Sequence, residues 1–421
     1  MILDLVNKKS SGYVLEENDF YEAINYLMDK GPDADVVKFF LSLHQFGMRK
    51  DEVLYFARAI RDSGRVLRFD ELIFEKHSTG GIGDASSLII VPLLASLGYK
   101  IIKTTGKSLV YTNGSADRLK AIPNFRTNLT PYQINAALSK ANACFLSHNG
   151  DVCPADRLLY DIREKHHLHN NLDFIAASIA AKKMASGAKV VLIDIKYGQA
   201  SIVKTYKDAT KLAKLLKYIF DKNNIKSVMV ITSTVQTLGE GIGNAIEVVD
   251  ALNVLQGKRT FLRRVANKYA VELMCAANPD MKKVDAYEIV NMAIDSGAAY
   301  RQFMKIVECQ GGDAGRLEHA TIFRPYRSVN FKADKSGYVG QIDSLMLGEL
   351  IRRLCEDSHD DNIGVVLRVK IGDYVKAGDI VMAFYYKDPA DLDRYKSALA
   401  GAVRMTDQKI KKIRIVKKVI S

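Results

Sequence analysis

The sequence has few of the features that mark secreted, zinc-binding or membrane proteins. Its five cysteines are odd in number and are not closely paired, which fits neither a disulfide framework nor a zinc site. The most apolar run, Leu88–Tyr99, is well short of the ~20 residues that a membrane-spanning helix needs. The first residues lack the long apolar core of a signal peptide. We therefore expect a soluble, reduced, cytoplasmic protein without a membrane partner.

Negative charge is also scarce, because 61 Lys and Arg residues face 48 Asp and Glu residues, for a net charge of +13. This balance suits an anionic ligand such as phosphate and would also suit nucleic acid. The basic residues are scattered, however, and no motif of stacking aromatic residues accompanies them. Only Lys409–Lys418 is densely basic, and its interleaved Ile and Val residues predict a terminal strand with one solvated face. Nucleic-acid binding is therefore the less favoured interpretation.

The 421 residues are enough for two or three domains. Apolar spacings of three and four predict helices up to about residue 65. Further helices are predicted at Leu88–Leu97, Thr130–Ala143, Asp173–Ser186, Ala209–Phe220 and Gly243–Leu255. Strands are predicted at Tyr99–Lys103, Ala143–Leu146, Lys189–Asp194 and Ser227–Ile231. This alternation predicts an α/β fold with a mixed or parallel sheet covered by helices. From about residue 335, runs such as Gly364–Val381 predict a small β-rich module.

The most informative segment is Lys76–Asp84, which combines three glycines with a lysine, a histidine and two hydroxyl side chains ahead of an apolar helix. Glycines let the backbone approach a ligand closely, and a helix N-terminus attracts phosphate. An ordinary turn before a helix is the alternative, but Lys76, His77 and Ser78 favour an anion site.

Two more segments have the same character. Lys103–Lys107 closes a strand, and Tyr111–Asp117 precedes a short helical pattern. Both place hydroxyls and glycines where a bound anion can receive hydrogen bonds. An Asn-Gly pair alone is more often a plain turn. Their closeness to the first segment favours one shared phosphate pocket.

Ser178 and Lys182 lie four residues apart on a predicted helix, so they share one face. They can offer a hydroxyl and a cation to a polar ligand, although a solvated edge beside a buried stripe is the more common arrangement. Arg163 is equally ambiguous alone. The cluster His166, His167 and His169 suggests a metal, but a solvated loop is the favoured interpretation, because no supporting ligand spacing is present.

Together these motifs resemble the thymidine/pyrimidine-nucleoside phosphorylase family, and the likeness runs in order through nearly the whole chain. The family's Lys-His-Ser-Thr-Gly-Gly-x-Gly-Asp loop is intact at Lys76–Asp84. Its Ser-Gly-Arg-Gly-Leu-x-His-Thr-Gly-Gly-Thr-x-Asp-x-Leu signature is altered at Thr105–Leu119. Further family motifs match Pro154–Asp156, Ser178–Lys183, Leu238–Val248 and Ile371–Gly378.

The resemblance implies a homodimeric pentosyltransferase of nucleoside salvage, which splits thymidine, deoxyuridine or uridine with inorganic phosphate and needs no organic cofactor. It implies a phosphate site formed by Lys76, Ser78, Ser87, Lys103, Thr105 and Ser115. It implies a pyrimidine site formed by Arg163, Ser178 and Lys182, with His77 beside the base. The catalytic residues would be His77, Arg163 and Lys182. A potassium ion would bind among Gly83, Leu238, Gly241 and Asp250.

The implied organisation has three parts. A helical domain, 1–65, would be completed by about 157–187 and would close over an α/β phosphate-binding domain, 66–156 and 188–334. A β-rich domain would follow at 335–421.

Several positions depart from the family pattern. Thr105 and Ser115 keep a hydroxyl, and Lys107 keeps the charge of an arginine without its planar fork. Ser108 and Asn113 replace glycines, and Tyr111 replaces a histidine. Ala85 lacks the side-chain oxygen often found there, which bears on the potassium site. The segment Ile195–Ala200 also differs from the usual Val-Lys-x-Gly-Ser-Gly.

An anthranilate-phosphoribosyltransferase-like enzyme is the alternative, because Lys103–Asp117 is similar to its second motif. Such an enzyme would use magnesium and an adjacent pair of acidic residues. Glu247 and Asp250, in a plausible place for such a pair, are not adjacent, and the β-rich module would have no explanation.

Overall fold

The structure, a computed structural model, describes residues 2–106, 114–147, 151–318 and 322–421. The substituted positions Lys107, Ser108, Tyr111 and Asn113 lie outside these ranges. The helices before residue 200 are α1 Ile2–Ser10, α2 Glu17–Lys30, α3 Ala34–Phe46, α4 Lys50–Asp62, α5 Ser86–Ser96, α6 Ser115–Lys120, α7 Pro131–Ala141, α8 Pro154–Lys165 and α9 Leu172–Ala185. Those after it are α10 Tyr206–Asp221, α11 Asn244–Leu255, α12 Phe261–Ala277, α13 Lys283–Asp295, α14 Ala298–Cys309, α15 Ala314–Glu318, α16 Ser344–Ser358 and α17 Pro389–Ala400.

The described strands form one large sheet and two small ones. The strands of the large sheet are β1 Ile73–Ser78, β2 Lys100–Thr105, β3 Ala143–Ser147, β4 Val190–Tyr197, β5 Lys226–Ser233 and β13 Val416–Ile420. Those of the small sheets are β6 Gly241–Ile242, β7 Arg327–Lys332, β8 Gly337–Ile342, β9 Gly364–Leu367, β10 Tyr374–Val375, β11 Ile380–Tyr386 and β12 Val403–Thr406.

The large sheet has the order β13-β5-β4-β1-β2-β3. Its first five strands in sequence are parallel, and β13 pairs with β5 in the antiparallel direction. Both faces are covered, since Val190 and Leu192 belong to one hydrophobic core and Val191 and Ile193 to another. The first core includes α5 and α11–α14, and the second includes α1–α4 and α8–α10. The predicted α/β fold is therefore confirmed.

Most predicted elements are present, with shifted ends. The helix predicted at Leu88–Leu97 is α5, Ser86–Ser96, and the strand predicted at Lys189–Asp194 is β4, Val190–Tyr197. Strand β1 was not predicted, because its apolar part is only Ile73-Phe74 and two charged residues follow. Those charged residues are buried nonetheless.

The burial of charge in β1 has a physical cause. Glu75 forms an ion pair with Lys183 of α9 at 2.5 Å and accepts a hydrogen bond from the Ser186 hydroxyl at 2.7 Å. The Thr104 backbone N–H also donates to Glu75, at 3.1 Å. Buried carboxylates need such partners, and here they tie β1 to β2 and α9.

The C-terminal part forms the two small sheets, ordered β10-β8-β12 and β6-β9-β11-β7, around their own hydrophobic core. This confirms a β-rich module, but its strands do not all come from 335–421. Strands β6 and β7 lie earlier in the chain, and β13 returns to the large sheet. The domain ranges as a whole stay a prediction. The predicted terminal strand begins only at Val416, with Lys417 and Lys418 exposed.

The helices and the cysteines can be compared with the expectations for membrane and disulfide-linked proteins. None of the described helices is both long and apolar enough to cross a bilayer. All five cysteines are free thiols, and three of them, Cys144, Cys153 and Cys355, are buried.

A buried ion pair joins the helices at the start of the chain. Lys9 of α1 lies 2.7 Å from Glu52 of α4, and both side chains are almost fully enclosed. Glu52 also accepts hydrogen bonds from the backbone N–H groups of Leu15 and Arg49, at 3.0 and 2.7 Å. One carboxylate thus connects three segments.

We predict that Glu52→Ala lowers the free energy of unfolding by about 3–5 kcal/mol, because it leaves the Lys9 ammonium buried without a partner. Urea unfolding followed by circular dichroism measures the change. The matched control is Glu17→Ala, which removes a half-exposed pair with Arg58 at 3.0 Å and should cost less than about 1 kcal/mol. Equal losses in the two variants would contradict the prediction.

Candidate active site

A cavity of about 220 Å³ lies at the carboxyl ends of β1 and β2, where helices α8 and α9 face the large sheet. Ligands of parallel sheets commonly bind at this edge, because the loops that follow the strands meet there. His77 and Ser78 end β1, and Lys103 lies near the end of β2. Arg163 of α8 and Lys182 of α9 complete the opposite wall.

The structure brings together nearly all of the predicted substrate-site residues. Those that line the cavity are His77, Arg163, Ser178, Lys182, Lys76, Ser78, Ser87, Lys103 and Ser115. Thr105 is not among the lining residues, and its hydroxyl lies 3.4 Å from the Leu146 carbonyl oxygen. His77 and Arg163, which are far apart in sequence, therefore share one cavity.

A network of buried charges supports the glycine-rich loop from behind. The Lys76 ammonium donates to the hydroxyls of Ser86 and Ser87, at 3.0 and 3.3 Å. Lys196 lies 3.1 Å from Asp84 and 2.7 Å from Asp194. A β-carbon at Gly81 would lie 2.5 Å from the Lys196 side chain, so the glycine lets the loop pack directly on this lysine.

The cavity lowers the pKa of several of its cations. Burial lowers the pKa of Lys76, and burial together with nearby Lys183 lowers the pKa of Lys103 to about 7. Burial and the neighbouring lysines also hold the pKa of His77 well below its usual range. His77 is therefore neutral at pH 7 in the absence of an anion, which favours hydrogen-bond donation over proton donation. Burial alone would raise the pKa of Asp84, but Lys196 and Lys76 lower it.

The wall formed by α8 and α9 carries Lys182, which is paired, and the buried Arg163. The Lys182 ammonium lies 2.6 Å from an Asp156 carboxylate oxygen and 2.7 Å from the Ser178 hydroxyl, which confirms the shared face predicted for Ser178 and Lys182. The Arg163 Nε is buried and has no hydrogen-bond partner among the described residues. Burial lowers the pKa of Arg163, with Asp156 opposing that effect. A buried guanidinium Nε that has no partner among the described residues, beside a cavity, suits an anionic or carbonyl ligand.

Sequence reasoning missed several lining residues. Arg118 of α6 lies 2.6 Å from Glu247 of α11, a buried pair between distant segments. His169 also lines the cavity, whereas its neighbour His167 is exposed as the loop interpretation predicts. The apolar and aromatic lining residues are Tyr160, Ile175, Ile179, Ile202 and Val203. Tyr160, Ile175 and Ile179 are close in sequence to Arg163 or Ser178, whereas Ile202 and Val203 have no such signal. Among the described residues, no group of three or more His, Cys, Asp and Glu side chains could hold a metal ion.

The residues predicted for a potassium ion lie behind the loop. Leu238 and Asp250 line a second cavity of about 220 Å³. The Gly83 carbonyl oxygen accepts a hydrogen bond from the Gly239 N–H at 2.8 Å. Asp250 accepts hydrogen bonds from the N–H groups of Glu240 and Gly241, at 2.7 and 2.8 Å. The potassium assignment itself stays a prediction.

Comparison with known protein families gives two matches. Residues 70–300 match the glycosyl transferase family, a/b domain. Residues 338–406 match the pyrimidine nucleoside phosphorylase C-terminal domain. The first match holds the five parallel strands of the large sheet, and the second holds most strands of the two small sheets.

Individual proteins give the same result. A thymidine phosphorylase of Mycoplasma genitalium is 31% identical over 404 residues, covering 92% of this chain and 96% of that protein. A pyrimidine-nucleoside phosphorylase of Staphylococcus aureus is 29% identical over 423 residues, covering 96% of each. Among solved structures, an anthranilate phosphoribosyltransferase of Thermus thermophilus has a TM-score of 0.61 at 19% identity and covers 73% of this chain and 99% of its own, which shows a shared fold. The chain belongs to the thymidine/pyrimidine-nucleoside phosphorylase family of glycosyl transferases.

Proposed function

We propose that this protein cleaves thymidine, deoxyuridine or uridine with inorganic phosphate, releasing the free pyrimidine and (2-deoxy)ribose 1-phosphate in cytoplasmic nucleoside salvage. The observation that carries the proposal is the single cavity in which the glycine-rich loop faces Arg163 and Lys182. A nucleoside between the two walls would have its sugar carbon exposed to phosphate on one side and its base held on the other.

The phosphate side depends on a local excess of positive charge. Six of the described lining side chains are cationic, namely Lys76, Lys103, Arg118, Arg163, Lys182 and Lys183. The Lys76 ammonium donates to the Ser87 hydroxyl at 3.3 Å, and Lys103, Ser78 and Ser115 line the same cavity. A phosphate would restore the charge balance and receive hydrogen bonds from preorganised donors.

The base side would stabilise the leaving group. Phosphorolysis breaks the bond between C1′ of the sugar and N1 of the base through a transition state with oxocarbenium-ion character. Negative charge then develops on the pyrimidine. Arg163 would donate to a base carbonyl, while Lys182, held in place by Asp156 and Ser178, would add a second positive charge. Neutral His77 would donate a hydrogen bond to the base.

The phosphoribosyltransferase alternative has weaker support. The carboxylates at the position considered for a magnesium-binding pair have other partners: Glu247 pairs with Arg118, and Asp250 accepts two backbone hydrogen bonds. The similarity to a solved phosphoribosyltransferase concerns the fold and covers 73% of this chain, whereas residues 338–406 match the pyrimidine nucleoside phosphorylase C-terminal domain. Phosphoribosyl transfer in the presence of magnesium, without phosphate-dependent release of base from nucleosides, would favour that alternative. Salt-dependent RNA binding without nucleoside turnover would favour a nucleic-acid-binding protein.

We also propose that the protein is a homodimer, as the resemblance implies. Light scattering coupled to size-exclusion chromatography should give twice the monomer mass. A monomer that is fully active would contradict this part of the proposal.

We predict that Arg163→Ala lowers kcat for uridine or thymidine by about 10²–10³, the usual effect of removing one preorganised donor to developing charge. Lys182→Ala should have a similar effect. A phosphate-dependent assay of base release over a panel of pyrimidine nucleosides measures both and also identifies the preferred sugar.

The matched control is Arg157→Ala, since Arg157 is exposed on the same helix and lies outside the cavity lining. Its kcat should be that of the unmodified protein. Full activity in both cavity variants would refute the assignment of Arg163 and Lys182.

We predict a pH effect from Lys103, whose pKa is lowered to about 7. Only the protonated ammonium attracts phosphate, so the KM for phosphate should rise as pH increases above 7, by up to about tenfold per pH unit. Lys103→Arg keeps its charge at these pH values and should flatten this rise.

The phosphate's own ionisation is common to both proteins, so the difference between their KM profiles isolates Lys103. Lys100→Arg is the matched control, because Lys100 lies on the same strand and donates instead to the Leu138 carbonyl at 2.6 Å. It should keep the original profile. Parallel profiles for Lys103→Arg and the unmodified protein would contradict the prediction.

A further inference from the structure

One lysine of the C-terminal module contacts Thr237 and Gly239, in a segment that packs against Gly83 of the glycine-rich loop. The Lys370 ammonium donates hydrogen bonds to the Thr237 carbonyl at 3.1 Å, the Thr237 hydroxyl at 3.0 Å and the Gly239 carbonyl at 2.5 Å. A lysine ammonium has three donors, so its hydrogen-bonding capacity is filled by oxygens of one short segment. Neutral oxygens that converge on one positive charge are also what an alkali cation binds.

This segment is the one to which the family resemblance assigns a potassium ion. Lys370 lines the same second cavity as Leu238 and Asp250. Two of the oxygens expected to bind the ion already accept hydrogen bonds: the Gly83 carbonyl from Gly239, and Asp250 from two backbone N–H groups. Ala85 supplies no side-chain oxygen. The residues present therefore fit an internal ammonium better than a metal ion.

We propose that the Lys370 ammonium takes the place of a monovalent metal cation in this protein and holds the loop beside the phosphate pocket without potassium. Lys370 is then a positioning residue, which acts through Thr237 and Gly239. Its effect reaches the pocket in two steps, because the Gly239 N–H donates to the Gly83 carbonyl and Gly83 precedes Asp84 of the cavity wall.

The close packing around Gly83 explains why a small displacement of Thr237 or Gly239 would also move the glycine-rich loop. Gly83 has a φ of 62°, and a β-carbon there would lie 2.9 Å from the Thr237 side chain and 3.0 Å from the Gly241 carbonyl oxygen. The two segments are therefore in close contact. Loss of the Lys370 ammonium would take its donor from the Thr237 carbonyl and leave the Gly239 carbonyl with the Thr237 hydroxyl alone, at 2.8 Å, which would loosen this contact.

The first test needs no substitution. The melting temperature of the unmodified protein is compared in potassium chloride and in choline chloride at equal ionic strength. A bound ion present in ~100-fold excess over its Kd would raise the Tm by several degrees. We expect equal Tm values, and a saturable rise with potassium would overturn the proposal. This readout does not depend on the enzyme's activity.

The second test uses Lys370→Ala and rests on the proposed phosphorolysis. Without potassium, its KM for phosphate should rise about tenfold, the effect typical of removing an outer partner of a binding site. Added potassium should restore the KM and raise the Tm of this variant, because the ion can enter the vacated space. Lys370→Met, which fills that space, should show the defect without the rescue. Unchanged kinetics, or a defect in Lys370→Ala that potassium does not affect, would overturn the proposal.

The matched control is Lys258→Ala. Lys258 pairs with Glu240 at 3.1 Å and is about half-exposed, so its removal takes away a positive charge next to this segment and leaves the hydrogen bonds to the Thr237 and Gly239 carbonyls in place. It should behave like the unmodified protein with and without potassium. If the unmodified protein cleaves no nucleoside, the proposed phosphorolysis fails, but the Tm comparisons still test the role of Lys370. Failure of one proposal can therefore be told apart from failure of the other.

Discussion

The constraint on which the site depends is the cost of keeping several cations next to one another in a largely enclosed cavity. Burial of an unpaired charge is expensive, and the protein limits this cost by placing carboxylates behind the cavity wall. Glu75 pairs with Lys183, Asp156 with Lys182 and Glu247 with Arg118. Each pairing joins separate segments of the chain. The interactions that lower the free-energy cost of burying these cations therefore also fix the relative positions of the cavity walls.

The cations that these carboxylates do not neutralise define what the cavity can bind. Burial lowers the pKa of Lys76 and Lys103 and, together with nearby lysines, that of His77. Lowered pKa values mean that positive charge is unfavourable in the empty cavity and that an anion would relieve the repulsion. Arg163 faces the same space, and its buried Nε has no hydrogen-bond partner in the part of the chain that the structure describes. The electrostatics thus favour an anion beside the glycine-rich loop and, beside Arg163, a group that becomes anionic during the reaction.

Sequence reasoning predicted the α/β fold and nine of the lining residues because the motifs that carry them are local. The glycine-rich loop and the four-residue spacing of Ser178 and Lys182 can be recognised within a few positions. Strand β1 was missed because buried ion pairs replace the apolar residues that mark a strand. The pairing of Arg118 with Glu247 spans 129 positions, and His169 enters the cavity only through the turn after α8. Neither has a local signal, since both depend on tertiary packing.

The β-rich module also belongs to this arrangement. Its strand β9 pairs with β6, the segment just after Gly239, and the Leu367 N–H donates to the Glu240 carbonyl at 2.8 Å. Ile82 of the glycine-rich loop packs in the module's hydrophobic core, where a β-carbon on Gly348 would lie 2.5 Å from it. The loop is therefore held between the large sheet in front and the module behind. The module contacts the loop directly through Ile82 and indirectly through the segment around Gly239, which packs against Gly83. We therefore infer that the module's role is to hold in place the loop that would bind phosphate.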